Sequence, residues 1–210
     1  MLRRLASRPS TSPHYLGQLS RASGRPSIPP VKMLHSASTP VPTNDSPKKI
    51  FAPTSNSTDP GHATQYTKGA LDRSDLHPLP TSQFHAWFTE ATDSGVYQPE
   101  TVTFSTASLP SGKVSARMVY MKELDARGFV IYSNWLTSRK AADVASNPHA
   151  ALTFWWREME RQVRVEGRVE RLSSEESQVY YDTRIRGSRI GAWASEQSAV
   201  LGAGGVGEAG

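Results

Sequence analysis

From about Tyr66 onward, apolar and polar positions recur with helix and strand periods. Phe84, Trp87, Phe88 and Ala91 stand at i, i+3, i+4 and i+7, one face of a helix. Thr81 or Ser82 is placed to cap it. Strand patterning follows. Thr101 to Ala107 is rich in β-branched residues, Pro110-Ser-Gly112 signals a turn, and Val114 to Met121 follows as the hairpin partner. Gly128 to Ser133 predicts a third strand and Ser138 to Ser146 a short helix that Asn147-Pro148 stops. Ala150 to Trp156 predicts a buried fourth strand. Glu160 to Leu172 predicts a fifth, with Val163, Val165 and Val169 on one face and Gln162, Arg164, Glu166, Arg168 and Glu170 on the other. Ser173 and Glu176 form a capping box that opens a helix carrying Tyr180 and Arg184. Short strands joined by tight turns, with helices between them, predict a mainly β fold: an antiparallel barrel with helices packed outside.

The flanks lack this periodicity. Residues 1–60 hold ten of the fifteen prolines and many Ser and Thr, a composition that cannot offset its ordering entropy by burial. The expected organisation is therefore an unstructured basic arm over 1–63, one domain over 64–201, and a Gly-rich tail over 202–210 that matches no packed element. The opening Met1-Leu-Arg-Arg-Leu-Ala-Ser-Arg8 is Arg- and Ser-rich, with no acid before Asp45. That is the composition of a mitochondrial targeting segment, the alternative being a plain basic tail on a cytoplasmic protein.

Charge and composition narrow the function. The net charge is +5, but residues 1–50 contain eight Lys or Arg against Asp45 alone, which leaves −2 for residues 51–210. The pI of 9.6 thus belongs to the arm, and the domain has no global attraction for nucleic acid. Cysteine is absent, which excludes disulfides and thiolate chemistry. No apolar run reaches the roughly 20 residues of a membrane helix. The histidines show no metal-ligand or catalytic-triad spacing, and no phosphate-binding glycine motif occurs. An enzyme of this composition would draw its chemistry from an organic cofactor.

Several stretches carry candidate chemistry. Ser138-Arg139-Lys140 lies where a helix begins after a strand; free N–H groups and the dipole favour an anion there, and two cations in the first turn need one. The plainer reading is a solvated basic turn. Arg117 and Lys122 share a strand at opposite parity, so either a bulge intervenes or they serve different ligands. Gln162, with both a donor and an acceptor, suits the polar edge of a heteroaromatic ring; the plainer reading is an exposed strand of alternating charge. Tyr180, Arg184 and Ser188 are spaced by four and would share one face of a continuing helix, a phosphate cradle or simply a polar face, with Ile185 marking an end or bend. Trp155 and Trp156 are expected in the core, and Trp193 against a ring or the core.

Taken together, Ser115-Ala-Arg-Met-Val119, Ser138-Arg-Lys140, Glu160-Arg-Gln-Val-Arg-Val-Glu-Gly167 and Gly187-Ser-Arg-Ile-Gly-Ala-Trp-Ala-Ser195 resemble the pyridoxamine 5′-phosphate oxidase family in order and approximate spacing, from about Tyr66 through Val200. The resemblance implies a dimeric FMN-binding split β-barrel that oxidises pyridoxamine or pyridoxine 5′-phosphate to pyridoxal 5′-phosphate, with O2 as acceptor and H2O2 as product. It implies FMN contacts for Arg117, Met118, Val119, Tyr120, Met121, Lys122, Tyr132, Ser133, Arg139, Lys140, Gln162, Gln197 and Ser198, from both chains of a homodimer. It implies a substrate-phosphate site of Lys122, Tyr180, Arg184 and Ser188, and a segment at Tyr66-Thr-Lys68 that can close over substrate. Members of the family continue past the Gln-Ser pair into further strands, so the chain is expected to be cut short of that segment. Three other readings remain: a truncated, non-catalytic FMN- or pyridoxal-phosphate-binding protein, a nucleic-acid-binding barrel, and a split-barrel flavin oxidase with another substrate.

Overall fold

A computed structural model describes residues 66–199 and the backbone of Arg3–Ala6. Strand β1 is Arg3–Ala6 and helix α1 is Pro80–Asp93. Then come β2 (Thr101–Ala107), β3 (Val114–Asp125), β4 (Gly128–Ile131), α2 (Arg139–Ser146), β5 (His149–Trp156), β6 (Arg161–Arg171), α3 (Ser174–Thr183) and α4 (Arg186–Ala194). All pairing is antiparallel, in the order β1-β4-β3-β2-β5-β6, and β1 pairs with both β4 and β6 to close a barrel. Arg3–Ala6 lies in the segment expected to be an unstructured arm. Its backbone runs instead between the two edges that the five strands β2–β6 leave unpaired, which offer a ladder on either side. The other residues expected to form the arm, and all of the expected Gly-rich tail, lie outside the described residues.

The core lies inside the curl of the sheet. Alternate residues of β2 (Val102, Phe104, Thr106) and β5 (Leu152, Phe154, Trp156) point inward and are buried. Helix α1 fills the curl: Phe84 meets Phe129 of β4 edge-on at 4.7 Å, and Phe154 and Trp156 of β5 at 4.9 and 5.9 Å. The helix face inferred from spacing is the buried one, with Phe84 and Ala91 buried and Trp87 and Phe88 packed beside them. Its start differs from expectation. Neither Thr81 nor Ser82 caps it; the N-cap is Leu79 and Pro80 is the first helical residue, where its fixed φ and missing N–H suit the position. Trp155, expected in the core, is half-exposed because its parity on β5 is opposite to that of the buried Trp156.

Two departures shape the site. Strand β4 stops at Ile131, so Tyr132 and Ser133 leave the sheet. The expected continuous helix through Tyr180, Arg184 and Ser188 is two helices: α3 ends at Thr183, and Arg184 and Ile185 are extended before α4. β-branched Thr183 and Ile185 and the poor helix former Gly187 crowd this stretch. The capping box at the start of α3 is as expected: Ser173 Oγ accepts from Glu176 N at 3.1 Å, and Glu176 Oε2 from Ser173 N at 3.0 Å. Among the described residues no helix is long and apolar enough to cross a membrane.

Candidate functional site: a cavity and an adjoining cation cluster

A cavity of about 700 Å³ opens between the β3–β4 strand ends and helices α3 and α4. All four residues of the expected substrate-phosphate site line it: Lys122, Tyr180, Arg184 and Ser188. Tyr120, Tyr132, Ser133 and Gln197, expected at the flavin, line it too, as does the exposed Trp193. Tyr180 and Arg184 share the cavity although no single helix carries both, because the extended link between α3 and α4 re-aims the chain.

Lys122 owes its place to a bulge. The β3–β4 register passes from Met121↔Ile131 to Glu123↔Val130, which leaves Lys122 without an opposing residue. Its ammonium sits 4.9 Å from the centroid of the Tyr120 ring, on the outer side of β3, whereas Arg117 turns inward. The bulge therefore occurs, and the two cations lie on opposite sides of the strand. The Tyr132 and Tyr180 rings stack at 3.6 Å with 9° between their planes. The Tyr132 hydroxyl donates to Glu123 Oε1. Burial, followed by that bond to a carboxylate, raises the Tyr132 pKa, so the phenol keeps its proton.

Beside the cavity lies a cluster of cations. Ser138 caps α2 through its carbonyl, and its hydroxyl donates to Asn134 O at 2.7 Å. Arg139 N, in the first turn, donates to Ser198 Oγ at 3.1 Å, and the buried Lys140 donates to Gln197 Oε1. Thr137 Oγ1 reaches Gln197 O at 3.1 Å. The Gln197-Ser198 pair therefore meets Arg139-Lys140 at the helix start, and Gln197 also faces the cavity. Burial, with repulsion from Arg117, lowers the Lys140 pKa to about 8. The Arg117 guanidinium donates to Phe104 O at 3.0 Å, Thr106 Oγ1 at 2.8 Å and Ser115 Oγ. Burial lowers its pKa, against the opposing pull of Asp143.

The remaining expected residues lie elsewhere. Val119 and Met121 turn into the core, leaving only backbone for a ligand. Met118 and Gln162 sit on the outer faces of β3 and β6, away from the cavity in a single chain. The segment Tyr66–Lys68 docks on the turn before β6: Glu160 Oε2 accepts from Thr67 N at 2.6 Å and Lys68 N at 2.9 Å, and Tyr66 meets Trp155 edge-on at 6.4 Å. Sequence reasoning missed Glu123, Thr106 and Asp143. Only Asp143 left a signal, four residues after Arg139 on a helix.

The family described as pyridoxamine 5′-phosphate oxidase matches residues 88–208, more than half of the chain. The chain belongs to that family. It is 54% identical over 156 residues to the probable pyridoxamine 5′-phosphate oxidase of Schizosaccharomyces pombe, covering 73% of this chain and 64% of that protein. It is 54% identical over 153 residues to the pyridoxamine 5′-phosphate oxidase of Saccharomyces cerevisiae, covering 72% and 64%. It is 53% identical over 138 residues to the pyridoxine/pyridoxamine 5′-phosphate oxidase of Burkholderia mallei, covering 66% and 64%. The match thus spans 64% of the length of these curated relatives. Among solved structures, PhzG from Burkholderia lata in complex with tetrahydrophenazine-1-carboxylic acid matches with a TM-score of 0.58 and 25% identity, over 63% of this chain and 65% of that one. The antiparallel barrel with flanking helices is the split barrel expected from the sequence.

Proposed function

We propose that this chain forms the core of an FMN-dependent oxidase that converts pyridoxamine or pyridoxine 5′-phosphate to pyridoxal 5′-phosphate, with O2 as acceptor and H2O2 as product. One observation carries the reading: Lys122, Tyr180, Arg184 and Ser188, spread over three elements and a link, line one cavity. Two cations, a phenol and a hydroxyl suit a phosphate ester. The family's relatives are named for this reaction.

The cation cluster fits a second phosphate, that of FMN. Among the described residues, Arg117 and Arg139 flank one carboxylate, Asp143, and the buried Lys140 lies within reach of the Arg117 charge, an excess of positive charge that an anion would complete. Among the described residues the Lys140 ammonium is met only by the amide of Gln197, a weak substitute for a phosphate oxygen. When bound, FMN would accept hydride from the substrate and pass electrons to oxygen. The chain's own part is orientation and charge: Arg117, Arg139, Lys140 and Ser198 hold one phosphate, and Lys122, Tyr180, Arg184 and Ser188 hold the other. Gln197, which faces both groups, joins the two sites. Met118 and Gln162, on the outer sheet face, would reach the flavin of a second copy, which is why a homodimer is part of the proposal. The Arg- and Ser-rich start supports mitochondrial import as part of the same reading.

The test is the visible spectrum of the 210-residue chain with FMN, before and after anaerobic pyridoxine 5′-phosphate. Bleaching of the flavin band is expected. A bound flavin that stays oxidised would make the chain a binder without turnover, and no bound flavin would remove the reading. Bleaching by other donors but not by pyridoxine 5′-phosphate would favour a split-barrel oxidase with another substrate.

A further inference from the structure

Asp143 is 1% exposed, the most buried charged side chain among the described residues, and no step above uses it. It projects from α2 toward β2 and β3. Thr106 Oγ1 donates to its Oδ2 at 2.7 Å and Arg139 Nε to its Oδ1 at 2.8 Å, while the Arg117 guanidinium stands 3.9 Å from Oδ2. The Thr106 hydroxyl, itself buried, also accepts from Arg117 at 2.8 Å. One carboxylate and one hydroxyl thus tie cations from two elements into one array. Although burial raises the Asp143 pKa, the bonds from Arg139 and Thr106 and the nearby guanidinium charges outweigh it, and the group stays ionised below the usual carboxylate range. A buried carboxylate is costly to keep, and an apolar side chain would fill the space on α2 more cheaply.

We propose that Asp143, working through Thr106, is a positioning residue for the flavin phosphate: it holds the Arg117 and Arg139 guanidiniums in place and so sets the preference for a phosphorylated over an unphosphorylated flavin. The inference rests on the FMN reading and extends it to two residues with no ligand contact of their own. Charge and geometry oppose each other here. Neutralising Asp143 leaves more positive charge, which alone would tighten an anion. It also frees Arg139, whose side chain is 49% exposed and would turn to solvent, and loosens Arg117. The proposal is that lost orientation outweighs gained charge.

The full chain and its Asp143→Asn, Thr106→Val and Thr106→Ser variants would be titrated with FMN and with riboflavin, which lacks the phosphate, following flavin fluorescence alongside thermal melting. Asp143→Asn and Thr106→Val are expected to weaken FMN about tenfold and leave riboflavin little changed. Thr106→Ser, which keeps the hydroxyl, is expected to bind FMN like the parent, and the Asn/Val double variant to be no weaker than Asp143→Asn. Should Asp143→Asn fail to fold, Thr106→Val against Thr106→Ser decides alone. Equal losses for both flavins would make the pair a fold element and overturn the inference, and unchanged or tighter FMN binding would overturn it too. A parent chain that binds FMN no better than riboflavin would remove the phosphate site itself, a failure of the underlying reading visible before any variant is compared.

Discussion

Lys140 shows what one buried side chain contributes to the site. The residue is 3% exposed, its ammonium is bonded to an amide oxygen and repelled by Arg117, and its pKa falls to about 8. A flavin phosphate would restore the proton's favourable environment, so binding above that pH takes up a proton. FMN affinity should then be greatest between about pH 6, below which the phosphate loses its second charge, and about pH 8, above which it should fall by up to tenfold per unit. Riboflavin should show neither limb, and Lys140→Met should weaken FMN and flatten the alkaline one. The stability contribution of Lys140 runs the other way. Its folded pKa lies below the value of 10.5 for a free lysine, so its charged form opposes folding below about pH 8 and the penalty is relieved as pH rises toward 10.5. Flavin titrations and denaturant melts across this range should therefore trend oppositely for this group. Arg139 and Lys140 were legible in the sequence because two cations in a helix's first turn conflict with its dipole. Thr106 was not, since a strand threonine is unremarkable until its neighbours on β3 and α2 are known.

At the scale of elements, strand positions followed from parity and turn residues, but the breaks that build the site did not. Period-two patterning places β2 and most of β3, β5 and β6, because one face of each packs on the core. The bulge at Lys122 was one of two options left open by parity, and only the pairing with β4 decides it. The four-residue spacing of Tyr180, Arg184 and Ser188 suggested one straight helix, yet the extended Arg184–Ile185 link delivers the same residues to one cavity by another route. Arg184→Ala should therefore raise the dissociation constant of pyridoxine 5′-phosphate by at least about tenfold while leaving unphosphorylated pyridoxine nearly unchanged; equal binding of the phosphate ester in parent and variant would remove Arg184 from the site. The start of α3 rests on the Ser173–Glu176 box, and Arg127 pairs with Glu176 across from the β3–β4 turn. Ser173→Ala should cost about 1 kcal/mol in urea unfolding with an unchanged slope. A larger cost with a changed slope would mean that α3 as a whole depends on this cap.

At the scale of the whole molecule, the outer face of the sheet is the feature a single chain leaves unused. Met118 is 63% exposed, Trp155 49% and Tyr120 45%, on adjoining strands whose other outward residues there are mostly Thr and Ala. Pairing of Thr103 with both Met118 and Thr153 makes these positions neighbours across β3, β2 and β5. Alternation leaves such residues outward because the inward set already fills the core, so their exposure reflects the sheet's geometry and not poor packing. Large apolar side chains among small ones suit a face covered by another sheet. Met118 and Gln162, which lie off the cavity in one chain, occupy this surface, so a second copy seated on it would complete the flavin site from both sides. Met118→Glu places a charge in the middle of that face. It should shift the chain from dimer to monomer in sedimentation velocity at micromolar concentration, and FMN affinity should fall in parallel, since half of each site would be lost. A variant that becomes monomeric with FMN affinity intact would confine the flavin site to one chain, and Met118 and Gln162 would then have no part in it.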